Sequence, residues 1–127
     1  MRFMMMVKAD KNYEAGIPPN DRLRAAVGQL TGEIARAGSL HEAGGLLPSS
    51  QGARVRVADG ELMVIDGPFP EINQLIGGYA IVRANSRQEA LELGKRFMRV
   101  HAEVLGPSYE GELEIRQLAE LQPEPAV

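Results

Sequence analysis

The chain has 127 residues, with 14 Lys+Arg against 17 Asp+Glu and a formal net charge of −3. That length suits one domain, a hydrophobic fraction of 44% excludes a wholly disordered chain, and the charge balance excludes a general pull toward nucleic acid or anionic lipid. Cysteine is absent, which excludes disulfides, thiolate catalysis and Cys-ligated zinc or iron–sulfur centres.

The opening apolar run, Met1 to Val7, is stopped by Lys8 and Asp10. With Arg2 inside it, its consecutive apolar residues are only Phe3 to Val7, too short for the apolar core of a secretory signal, about 7–15 residues, or for a membrane span of about 20. A cytoplasmic protein without membrane association is expected. Phe3 to Val7 itself predicts a buried strand. Residues 10–20, with Gly16, Pro18 and Pro19, predict a loop. Asn20 or Asp21 then caps a helix, whose Leu23, Ala26, Val27, Leu30, Ile34 and Ala37 form one stripe and which Gly38 ends. Ser39 to Leu47 predicts a second strand, interrupted by Gly44-Gly45. A polar turn, Pro48 to Gly52, follows.

Ala53, Val55 and Val57 alternate with Arg54 and Arg56, a strand with one wet face. Asp59-Gly60 is a two-residue hairpin signal, and Leu62 to Ile65 is the partner strand. Asp66-Gly67-Pro68-Phe69-Pro70 is rigid and non-helical. A loop then runs to Gly77-Gly78, before a strand from Tyr79 to Ala84. Ser86 and Glu89 form a capping box for a second helix, with Ala90, Leu93, Gly94, Phe97 and His101 on its inner side. Gly106-Pro107 break the chain, and Glu112 to Leu118 alternate as a last strand. The tail, 122–127, holds two prolines and is expected to fray beyond a single domain of residues 1–121.

The order is β-α-β-β-β-β-α-β. Two helices cover only one face of such a sheet, so the expected fold is α+β, ferredoxin-like, with a mainly antiparallel sheet. Met4 and Met6 point away from Phe3 and Met5, and Met63 and Ile65 away from Leu62 and Val64, yet all are apolar. A sheet apolar on both faces predicts a homodimer, with Met4, Met5 and Met6 filling core or interface.

Several residues carry chemistry. Asp66 to Phe69 reads either as a turn, with Asp accepting backbone N–H groups and Phe plugging the core, or as a cleft. In the second case Asp66 is a general base assisted by Glu71. His41 reads as a surface or core histidine, or as an acid–base group beside the Asp66 loop. His101 reads as compensation for the helix dipole. Arg54, Arg56 and Arg116 lie on solvated strand faces paired with Glu61 or Glu114, or hold an organic carboxylate. No metal-ligand spacing is present around His41–Glu42 or His101–Glu103, and no cofactor is expected.

Val64-Ile65-Asp66-Gly67-Pro68-Phe69-Pro70-Glu71 resembles the Asp-Gly-Pro-Phe (DGPF) motif of the YCII-related domain family. Gly44-Gly45-Leu46-Leu47-Pro48, Ala53-Arg54-Val55-Arg56, Gly77-Gly78-Tyr79, Ser86 to Ala90 and Glu114-Ile115-Arg116 match in the same order, over about residues 2 to 119. The resemblance implies a dimeric α+β barrel of ferredoxin-like protomers. It implies little about activity. A few such relatives remove HCl from chlorinated ring-cleavage acids, and others accompany extracytoplasmic-function sigma factors. Shorter relatives carry a first-helix histidine paired with an aspartate, and that position falls near Val27 here.

Two functions follow as expectations. The first is proton transfer or lyase chemistry on a small organic acid in a cleft near the Asp-Gly-Pro-Phe loop. Asp66, His41 and Glu71 would be the catalytic groups there, with Phe69, Arg54 and Arg116 as ligand contacts. The second is a non-catalytic metabolite-sensing or protein-docking module, linked to a sigma factor, with no direct nucleic-acid binding.

Overall fold

Apolar alternation along four segments builds the central sheet of this computed structural model, which describes residues 1–120. Strand β1 (Arg2–Lys8) is flanked by β5 (Ile76–Arg83) and β6 (Leu113–Gln117), and β2 (Leu40–Gly45) closes the other side of β5. The order is β2-β5-β1-β6, antiparallel throughout. Phe3 and Met5 on β1 and Ala80 and Val82 on β5 point to one face and are buried.

Two long helices cover that face. Helix α2 (Asp21–Arg36) starts at Asn20, whose side chain accepts the Leu23 N–H at 2.7 Å. Helix α3 (Arg87–Leu105) starts at Ser86, which accepts the Glu89 N–H at 3.1 Å. The returning Glu89 carboxylate accepts from Asn85, one residue earlier than in a closed capping box. Leu30 and Ile34 of α2 and Ala90 and Phe97 of α3 complete one core with the four strand residues. The α+β class, the antiparallel sheet and both long helices are as expected from the sequence.

The structure corrects three details. Residues 10–20 are not all loop: Asp10 accepts the Tyr13 N–H at 2.7 Å and caps a single turn, α1 (Lys11–Glu14). Strand β5 begins at Ile76 and includes both glycines, because Gly78 pairs with Val7 on one side and Gly45 on the other. The predicted hairpin forms as β3 (Ala53–Ala58) and β4 (Glu61–Asp66), but as a separate two-stranded sheet. Its turn puts Asp59 at φ 52° and Gly60 at φ 77°, the backbone of a tight two-residue hairpin. The tail expected to fray lies outside the described residues.

Among the described residues the opposite sheet face has no helix. Met4 pairs with Ile81 and Met6 with Tyr79 there, all half-buried. Around them Tyr79 donates to Glu42 at 2.5 Å, and that contact, with Glu42's charge, raises the Tyr79 phenol above its ordinary value. Hydrogen bonds from Arg116 and Lys8 hold the Glu114 carboxyl below its ordinary value. Among the described residues no helix is long and apolar enough to cross a membrane.

Candidate functional site: a helix-side cavity and the Asp-Gly-Pro-Phe loop

The Asp-Gly-Pro-Phe segment follows β4 directly, with a cis bond between Gly67 and Pro68. Ser49, in a short turn before β3, organises it. The Ser49 hydroxyl accepts the Phe69 N–H at 3.0 Å, and Ser49 N–H and Oγ both donate to the Glu14 carboxylate, at 2.8 and 2.5 Å. Gly67 donates to Gly52 O at 2.9 Å. The Arg54 guanidinium lies 3.8 Å from the centre of the Phe69 ring and reaches Glu71 at 3.3 Å. Arg54, Phe69 and Glu71 therefore form one preorganised cluster.

Asp66 stands at its edge. Its carboxylate is exposed and, among the described residues, accepts no hydrogen bond, so it does not act as the acceptor of its own turn. His41 and Arg116 sit elsewhere. His41 is exposed on β2, with Nδ1 2.9 Å from the Arg83 guanidinium. Arg116 is exposed on β6, at the other edge of the sheet, and pairs with Glu114 at 3.3 Å. Neither joins the Asp66 loop by a hydrogen bond or ion pair among the described residues.

A concavity of about 920 Å³ lies on the helix side of the sheet. Its floor is Met5, Val7, Ala80 and Leu113, and its walls are Leu23, Val27 and Gly28 of α2 with Phe97, His101 and Leu105 of α3. The α1 segment with its cap Asp10 and Tyr13 lines it too, as does Tyr109. The size, and a mainly apolar lining interrupted by polar groups such as Lys8, Asp10, Arg24 and His101, suit a small organic molecule. Asp66, Phe69 and Glu71 do not line it; α1 links the two places. Tyr13 faces the cavity and donates to Leu46 O, while its neighbour Glu14 grips Ser49.

His101 is the cavity's distinctive polar group. Its Nδ1 lies 2.7 Å from Phe97 O, one turn back along α3. A carbonyl oxygen only accepts, so Nδ1 carries the hydrogen and Nε2 is left with its lone pair. The ring stacks on Tyr109, centroids 6.0 Å apart and planes 25° apart. Burial, and then the negative charge of Asp10, hold the Tyr109 phenol above its ordinary value, so it remains a neutral hydrogen-bond donor.

The sequence reading missed this site. Helix position alone suggested a dipole role for His101, and nothing local ties Tyr109 to it. One local signal was available: Gly28 sits inside α2, where glycine disfavours a helix by about 1 kcal/mol relative to alanine. A Cβ at Gly28 would meet nothing within 4 Å, because the glycine opens onto the cavity. A smaller polar notch of about 470 Å³, between Arg2, Ser39, Arg83 and Glu89, lacks such apolar walls.

Among the described residues, an antiparallel sheet with two long helices on one face and none on the other is compatible with a ferredoxin-like α+β fold. The chain belongs to the YCII-related domain family, whose family model matches residues 1–106. It is similar to an uncharacterized protein of Rhizobium meliloti (strain 1021), 28% identical over 104 residues that make up 82% of this chain and 79% of that protein.

Proposed function

We propose that this protein binds a small organic acid with an apolar body in the cavity between α2, α3 and the sheet. The observation that carries the reading is the cavity of about 920 Å³, mainly apolar, with His101 in its wall and polar groups around it. The family resemblance supports it, since the first-helix position that holds a histidine in shorter relatives falls near Val27, a cavity wall residue here.

Gly28 gives a direct test. Gly28→Phe places a ring into the cavity from a helix position that has room for it, and replaces a poor helix former. It should leave the melting temperature unchanged or slightly higher and abolish carboxylate binding, read by NMR shifts of the Val27 and Leu105 methyl groups. Binding that survives Gly28→Phe places the ligand elsewhere.

A second reading rests on Asp66. Its exposed carboxylate, without structural duty beside the Arg54–Phe69–Glu71 cluster, suits proton transfer or elimination on such an acid. Asp66→Asn separates the two readings. Binding at the cavity should be unchanged, and its loss would move the site to the loop. Binding without turnover makes the chain a metabolite-sensing module.

The working unit is a homodimer in this proposal. Val55, Val57, Leu62 and Val64 share one face of the β3–β4 hairpin and are 69–73% exposed. An isolated two-stranded hairpin is marginal in water, and the open sheet face bearing Met4, Met6 and Ile81 is also uncovered. A two-fold pair lets each copy cover the other's apolar surface. Light scattering should give twice the chain mass at micromolar concentration, and Val55→Lys with Val64→Glu should give the single mass with the helical circular dichroism retained. A wild-type monomer at that concentration ends the dimer proposal.

A further inference from the structure

We infer that His101 is the group that reads the carboxylate of a cavity-bound acid, and that it does so as an imidazolium formed by taking a proton from solvent as the acid binds. This inference rests on the cavity being the ligand site.

The charged groups of the cavity lead to His101 by elimination. Lys8 of β1 is already paired with Glu114 at 3.4 Å, and Arg24 of α2 is paired with Asp21. Asp10, the acid in the lining, caps α1 and repels an anion. The Tyr79 and Tyr109 phenols are held above their ordinary values and stay neutral, and the Tyr13 and Tyr79 hydroxyls are engaged by Leu46 O and Glu42. Among the described residues His101 has no ion-pair partner, and its single hydrogen bond uses only Nδ1.

The geometry also fixes where the proton goes. Nδ1–H is held by Phe97 O and the ring plane by Tyr109, so Nε2 is the nitrogen that gains a proton. With Nδ1–H spent on Phe97 O, Nε2 presents a lone pair that can take up a proton. A carboxylate within a few Å, in a half-buried site of reduced dielectric, favours the charged ring and raises its proton affinity. An acid that binds while the ring is neutral therefore draws a proton onto Nε2, and Tyr109 acts as a positioning residue through its stacking.

The test uses the full chain, with hexanoate as the acid and hexanamide as its neutral counterpart. Imidazole NMR titrations follow His101 and His41, the latter an internal control on β2 bonded to Arg83. With hexanoate saturating, the proton affinity of His101 should rise about tenfold or more, that of His41 should not move, and hexanamide should bind without raising either. His101→Gln should weaken hexanoate about tenfold and leave hexanamide unchanged. Methyl shifts at Val27 and Leu105 with an unchanged His101 titration would overturn this inference and leave the cavity reading standing. No cavity shift with either probe would overturn both.

Discussion

Gly67→Ala should destabilise the protein by about 1–3 kcal/mol, the range of an overpacked position. A Cβ at residue 67 would lie 1.8 Å from Ser49 O and 2.7 Å from the Ser49 carbonyl carbon. Both are backbone atoms, so no side-chain rotation relieves the overlap. The 49–51 turn and the 66–70 loop must separate, and the separation costs the Gly67 N–H bond to Gly52 O and the Phe69 N–H bond to Ser49 Oγ. Urea unfolding reads the stability, and hydrogen exchange at the Phe69 amide reads the local opening. A change below about 0.5 kcal/mol, with Phe69 still protected, would mean that the loop is not seated on the Ser49 turn. Asp66→Ala is the control. That exposed carboxylate accepts no hydrogen bond among the described residues, so its loss should fall within the ±0.5 kcal/mol of ordinary surface changes. The motif thus divides: its glycine is architectural, its phenylalanine anchors Arg54, and its aspartate has no structural duty.

That division explains how much was legible in the sequence. Periodicity sees what one element does by itself. The stripe Leu23–Val27–Leu30–Ile34, the Asn20 cap and the Asp59-Gly60 turn are local patterns, and each was readable. The alternation of β3 and β4 was equally plain, but nothing in it says that the hairpin leaves the main sheet, since detachment depends on pairings made by other strands. The Arg54–Phe69–Glu71 cluster was within reach because all three residues flank one hairpin. The Ser49–Glu14 anchor joins residues 35 apart in the chain, and the His101–Tyr109 stack depends on how the chain turns at Gly106. Such long-range groupings leave no period in the sequence.

Ile34→Ala should cost about 3–4 kcal/mol and lower the melting temperature by roughly 10 °C. Ile34 is 1% exposed and packs in the core with Phe3, Met5, Val82 and Phe97. Deleting its outer carbons leaves a void with backbone-anchored strands on one side and α3 on the other, so little collapse can fill it. Val27, two turns earlier on the same stripe, gives the contrast. It is half-buried and already borders the cavity, so Val27→Ala removes fewer contacts and creates no new closed void; about 1 kcal/mol is expected. Thermal unfolding of both variants, with hexanoate binding measured on each, separates the two halves of α2. Ile34→Ala should lose most stability and keep affinity wherever it remains folded, while Val27→Ala should lose only about 1 kcal/mol and change affinity. Equal destabilisation by the two substitutions would mean that the space beside Val27 is packed, and that one helix stripe serves the core along its whole length.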